Sequence, residues 1–168
     1  MATLKPIIPH LWFEQNPEDA VKFYTSVFKN SKIGKTSYFT EEGFEIHHQP
    51  AGSVLTIEFE IDGNKFIALN GGPGFKFNEA VSFMIPCKDQ KEIDYYWNKL
   101  SDGGEEQDCG WLKDKYGLSW QVVPEKMIDW VADKDKKKVA RLMKAQFTMK
   151  KFDIETLEKA FNGELVEV

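Results

Sequence analysis

Ser53-Val54-Leu55-Thr56-Ile57-Glu58-Phe59-Glu60-Ile61, then Asp62-Gly63, then Asn64-Lys65-Phe66-Ile67-Ala68-Leu69-Asn70, is the stretch that decides the fold. Leu55, Ile57, Phe59 and Ile61 alternate with Val54, Thr56, Glu58 and Glu60, the period of a strand with one face on a core. Asp62-Gly63 is a hairpin turn signal, so Asn64 to Asn70 is the return strand. Upstream, Lys32 to Thr40 keeps the period of two, and Glu41-Glu42-Gly43 turns the chain. Before that the period is helical: Ala20, Val21, Phe23, Tyr24, Val27 and Phe28 share one side. Asn16 as N-cap, Pro17 at the first helical position and the acids Glu18 and Asp19 open this helix. Leu4 to Phe13, rich in Ile, Leu and aromatics, reads as a strand. The order is β-α-β-β-β.

Gly71-Gly72-Pro73-Gly74 interrupts the chain, and the pattern then restarts. Ala80 to Cys87 is an apolar strand. Asp89 to Leu100 is a helix with Ile93, Tyr96, Trp97 and Leu100 on one side. Gly103-Gly104 turns it, Glu105 to Trp111 and Leu112 to Tyr116 read as short strands or loop, and Leu118 to Val123 is the last strand. The fold class is therefore α+β, with two paired βαβββ modules. Module one spans about 4–72 and module two about 80–124, together a domain of 1–124. Residues 125–168 form a helical extension, with Met127, Ile128, Trp130 and Val131, then Val139, Leu142, Met143 and Phe147, at helical spacing, and a closing helix capped by Asp153. An apolar face on such a tail packs on the body or on a partner subunit.

The 168 residues carry a net charge of −5, with 13 Phe, 5 Tyr and 5 Trp. A negative chain has no field to draw it to nucleic acid. The basic run from Lys134 to Lys138 is interleaved with Asp135 and reads as a solvated helix face. No stretch approaches the ~20 apolar residues of a membrane span, and the first residues lack a signal-peptide pattern. Cys87 and Cys109 are too few for a disulfide scaffold and sit in no CxxC motif, so they read as inert thiols in a cytoplasmic protein. His47-His48 lies on consecutive residues, which on a strand point to opposite faces.

Five segments carry a family resemblance: Pro9-His10-Leu11-Trp12-Phe13, Ala20-Val21-Lys22-Phe23-Tyr24, Ala68-Leu69-Asn70-Gly71-Gly72-Pro73, Cys109-Gly110-Trp111-Leu112-Lys113-Asp114 and Gly117-Leu118-Ser119-Trp120-Gln121. With the doubled βαβββ order, the chain resembles the PhnB-like branch of the vicinal oxygen chelate superfamily, which includes glyoxalase I, bleomycin-resistance proteins and extradiol dioxygenases. The resemblance implies a sheet curling into a cup that holds a small organic molecule, and a homodimer. It also implies metal positions on the first and last strand of each module, which here fall on His10, Ala68, Ser82 and Gln121. Only His10 is a good ligand among them, so a complete divalent-metal site is not expected, although a metal anchored on His10 is the competing reading.

Period two places Trp12 and Glu14 beside His10, Asn70 beside Ala68, Met84 beside Ser82, and Ser119 and Val123 beside Gln121. The candidate site is then His10 and Glu58 as acid–base groups, with Trp12, Asn70, Ser82, Met84, Ser119, Trp120 and Gln121 as ligand-binding residues. Each has a plainer reading: Glu58 as an exposed strand carboxylate, Asn70 as a turn residue, Trp120 as core. The expected function is binding of a small molecule without a metal cofactor; the alternative is a metal-dependent lyase, isomerase or dioxygenase of the same superfamily. Some PhnB-like proteins carry the name demethylubiquinone methyltransferase, but a glycine-rich turn after a first parallel strand is absent, and that label is rejected.

Overall fold

The computed structural model describes residues 7–164, and the chain divides between Phe77 and Asn78 into two compact units. Unit 1 holds β1 (His10–Phe13), α1 (Pro17–Val27), β2 (Lys32–Tyr38), α2 (Phe44–His47), β3 (Val54–Ile61) and β4 (Asn64–Asn70). Its four-stranded sheet has the order β1-β4-β3-β2, with β1 parallel to β4 and the other pairs antiparallel. Unit 2 holds β5 (Ser82–Cys87), α3 (Gln90–Ser101), β6 (Glu105–Glu106), β7 (Trp111–Lys113) and β8 (Ser119–Pro124), in the matching order β5-β8-β7-β6. The α+β class and the doubled βαβββ order are both present. The helices α4 (Met127–Val131), α5 (Lys136–Gln146) and α6 (Ile154–Asn162) follow within unit 2.

In unit 1 the alternation of β3 is obeyed: Ile57, Phe59 and Ile61 are buried under α1, whose Ala20, Val21, Tyr24 and Val27 are buried in turn. Tyr24 stacks on Phe59 with ring centroids 6.2 Å apart. In unit 2, Ile93, Trp97 and Leu100 of α3 are buried, as are Ile85, Cys87, Leu112, Trp120 and Val122 of the sheet. The tail docks through its backbone: the amides of Cys109 and Gly110 donate to the carbonyls of Met149 and Lys150 at 2.8 Å each. A Cβ on Gly110 would lie 2.6 Å from the Phe152 ring, so only glycine admits this approach.

Several local expectations are corrected. Strand β1 starts at His10; part of the expected strand from Leu4 lies outside the described residues. Asn16 does precede α1, but at φ 55° it is left-handed and its side chain makes no capping bond. The start of α1 rests on Pro17 and the acids of its first turn. His47 and His48 are not on a strand: His47 ends the short helix α2 and His48 follows it at φ 55°. Four residues are too few for the 3.6 period to be visible. The His47 ring is held locally, its Nε2 3.1 Å from the Glu42 carbonyl and its Nδ1 accepting from the Gln49 amide at 3.0 Å.

Among the described residues, no helix is long and apolar enough to cross a membrane.

Candidate functional site

Register decides which side chains share a face. In unit 1, His10 pairs with Ile67, which pairs with Glu58; Trp12 pairs with Leu69, which pairs with Thr56. Neighbours across strands point the same way, so His10, Trp12, Thr56 and Glu58 lie together on the face that α1 does not cover. His10 and Glu58 are exposed there. They sit one strand apart on either side of β4, a separation of about 10 Å that leaves room for a bridging molecule rather than a direct bond. A Cβ on Gly34 would lie 3.1 Å from the Cβ of Glu58 and 3.2 Å from its carbonyl oxygen, so the irregular stretch of β2 runs close against the Glu58 main chain. Gly34 had no distinguishing signal in the sequence.

Ala68 and Asn70 do not join that face. Leu11, Ala68 and Ile57 are register partners, all buried beneath α1, and Asn70 pairs with Phe13 on the same side. The expectation that Ala68 faces His10 is off by one residue, which inverts the face in a strand of period two. Asn70 donates from Nδ2 to the Val54 carbonyl at 2.9 Å. It lines a cavity of about 920 Å³ on the α1 side of the sheet.

Trp12 is half-buried, and its indole N–H donates to the Gly72 carbonyl at 2.8 Å. Phe75 meets it edge-on at 4.9 Å. The donor is therefore committed within the protein, and the ring offers a ligand its surface.

In unit 2, Ser82 pairs with Ser119 and that with Lys113; Met84 pairs with Gln121 and that with Trp111. These six share the face opposite α3. Gln121 Nε2 donates to Ser82 Oγ at 2.8 Å. Met84 is exposed at 44%. Ser119 is wholly buried, and its Oγ has no hydrogen-bond partner. Lys113 is ion-paired with Glu79. The structure thus brings Ser82, Met84, Ser119 and Gln121 together as expected. Trp120 goes to the other side: it pairs with Phe83 and Leu112, is 3% exposed, and gives its indole N–H to Asp114 Oδ2 at 2.8 Å. Its expected place among the ligand-binding residues is corrected to the core beneath α3. Asp114, missed as a key residue, lies inside a quoted motif; a carboxylate four residues before Leu118 across a Gly117 turn was the available signal.

Among the described residues, no three His, Cys, Asp or Glu side chains converge as metal ligands. The polar groups beside one another in unit 2 are hydroxyls and a carboxamide, weak donors for zinc or iron.

Burial, reinforced by Glu92 and Asp89, pushes the Cys87 thiol up to about 12. Burial and Asp108 raise that of Cys109. At pH 8 roughly one Cys87 thiol in ten thousand is ionised, and the thiolate is the nucleophile. Ellman's reagent should therefore react slowly with Cys87 in the native protein and rapidly with two thiols in denaturant. A fast native reaction at Cys87 would contradict its placement beneath α3.

A family model described as 3-demethylubiquinone-9 3-methyltransferase matches residues 5–123. Among solved structures, the chain is similar to a PhnB protein from Bacillus cereus, at 32% identity over 71% of this chain and 99% of that one, with a TM-score of 0.62. A protein from Pseudomonas aeruginosa is 18% identical over 73% and 98%, with a TM-score of 0.56. The fosfomycin resistance protein FosX from Mesorhizobium loti is 12% identical over 79% and 100%, with a TM-score of 0.54. These last two share the fold. Among curated proteins none matches.

Proposed function

The chain belongs to the PhnB-like branch of the vicinal oxygen chelate superfamily, and on that premise we propose that it binds a small organic molecule on the helix-free faces of its sheets, without a complete metal site. One observation carries the reading. Ser82, Ser119 and Gln121 gather on one sheet face of unit 2, beside the exposed Met84. An orphaned buried hydroxyl at Ser119 adds weight, because such a group costs stability unless something binds it. In unit 1 the helix-free face offers an imidazole, a carboxylate and the Trp12 ring, groups suited to orienting an organic ligand.

Of the four positions to which the family resemblance assigns metal ligands, His10 supplies an imidazole, Ser82 and Gln121 bond to each other, and Ala68 lies beneath α1. The reading therefore routes no step through a metal. Methyl transfer is not part of it either. β1 enters α1 through Glu14-Gln15-Asn16-Pro17, without the glycines that bring a nucleotide cofactor against a helix N-terminus. The proposal includes a homodimer acting in the cytoplasm.

The test is thermal unfolding of the chelator-treated protein against a small-molecule library and, separately, divalent metals, with elemental analysis of the untreated sample. A ligand at about 100 times its Kd adds ~2.7 kcal/mol, a shift of several degrees. The expected result is a shift with an organic compound, weakened about tenfold by Gln121→Ala. Stoichiometric metal with a matching metal-induced shift would overturn the reading in favour of a metalloenzyme anchored on His10.

A further inference from the structure

The α1 side of the unit 1 sheet is only partly covered. Four strands at ~4.8 Å spacing are wider than one helix of about 10–12 Å diameter. α1 covers the part where Ile57, Phe59 and Ala68 are buried, and β2 at the sheet edge is left bare. On β2, Ile33 is 48% exposed and Tyr38 57%. The turns at this end of the sheet wall off the uncovered strip: Glu14 to Asn16 before α1, Gln49 to Ser53 before β3, and Asn70 to Pro73 after β4. They border an open cavity of about 920 Å³, a size typical of small-molecule sites. The face of His10 and Glu58 is the opposite one.

We infer that this cavity is a second binding site, and that it takes an uncharged polyol of saccharide size. The Tyr38 ring and Ile33 give an apolar platform for the C–H face of a sugar ring. Around it stand groups that pair with hydroxyls. The Glu14 and Glu18 carboxylates accept, while the Gln49 and Asn70 carboxamides can both donate and accept. Asn70 is fixed by its bond to the Val54 carbonyl. Glu14, Glu18, Tyr38 and Gln49 have no side-chain partner among the described residues, so their hydrogen-bonding capacity faces the cavity or water. Two carboxylates against the single ammonium of Lys22 make the lining negative, which disfavours anions such as phosphate esters or sugar acids.

The test is an NMR titration of the isotope-labelled full chain with methyl β-glucoside, maltose and sodium gluconate. Saturable shifts are expected at the amides of Thr36, Tyr38, Gln49 and Asn70 with the two neutral sugars, and weaker ones with gluconate. Tyr38→Ala and Glu18→Gln, both at solvent-accessible positions, should each weaken binding about tenfold. Glu125→Gln in unit 2 should leave it unchanged. Uniform, non-saturating shifts across the chain, or unaltered affinity in Tyr38→Ala, would overturn the inference. Ligands of the helix-free faces are read at Ser82 and Gln121, so the two proposals fail independently.

Discussion

Asp114→Ala should lower the unfolding free energy by about 3–5 kcal/mol, a large share of the ~5–15 kcal/mol typical of a native protein. The carboxylate is 2% exposed and accepts three N–H donors. Tyr116 N at 2.8 Å and Leu118 N at 3.1 Å bond to Oδ1, and the Trp120 indole at 2.8 Å bonds to Oδ2. The same residue closes the β7–β8 turn through its backbone, donating to the Leu118 carbonyl and accepting from Gly117 at φ 85°. Alanine strands three buried or half-buried donors at once, each costing about 1–3 kcal/mol before relaxation. Asp114→Asn separates the parts. It can keep one oxygen toward the two backbone amides while turning its NH2 toward the indole N–H, donor against donor. Its loss should fall between zero and that of alanine, and Trp120→Phe in the same chain should recover part of it. Urea midpoints with tryptophan fluorescence measure this, and a loss below about 1 kcal/mol for Asp114→Ala would refute the network.

Asp114 also shows what a sequence conceals. Its motif was legible as a family feature, and the neighbouring Ser119, Trp120 and Gln121 were legible as a strand. Which of them faces α3 depends on pairing with β5 and β7. Trp120 was misplaced because an aromatic suits a ligand face and a core equally well. The hairpin of β3 and β4 is read from Asp62-Gly63, and its pairing of Ile61 with Asn64 follows from the turn length and sets Ala68 opposite the buried Ile57. Ala68 and Asn70 were misplaced because their face was taken from the family resemblance and not from this register. His10, Trp12 and Glu58 fall on one face as expected because each assignment needed only the period within its own strand and a buried partner set to orient it.

Gly71→Ala should cost about 2–4 kcal/mol and displace the Trp12 ring. A Cβ at Gly71 would lie 2.1 Å from Trp12 Cε2 and 2.4 Å from both Cδ2 and Cζ2, far inside contact distance. Gly71 is not left-handed, so the requirement is room for an indole and not backbone freedom. Its amide donates to the Phe13 carbonyl at 3.0 Å, extending the β1–β4 pairing, which prevents the backbone from simply backing away. The ring must yield instead, losing its bond to the Gly72 carbonyl and its edge contact with Phe75. Gly74→Ala is the control. Its Cβ would stand an ordinary 3.8 Å from Trp12 Cζ2, and its effect should stay within about 0.5 kcal/mol. Adding Trp12→Ala to Gly71→Ala removes the clash, so the double variant should be more stable than the sum of the single losses by about 1–3 kcal/mol. Strict additivity would show that Gly71 and Trp12 do not touch. Coupling of the expected size would establish that the Trp12 ring, on the face of His10 and Glu58, is held in place by a glycine chosen for its lack of a side chain, a platform set before any ligand arrives.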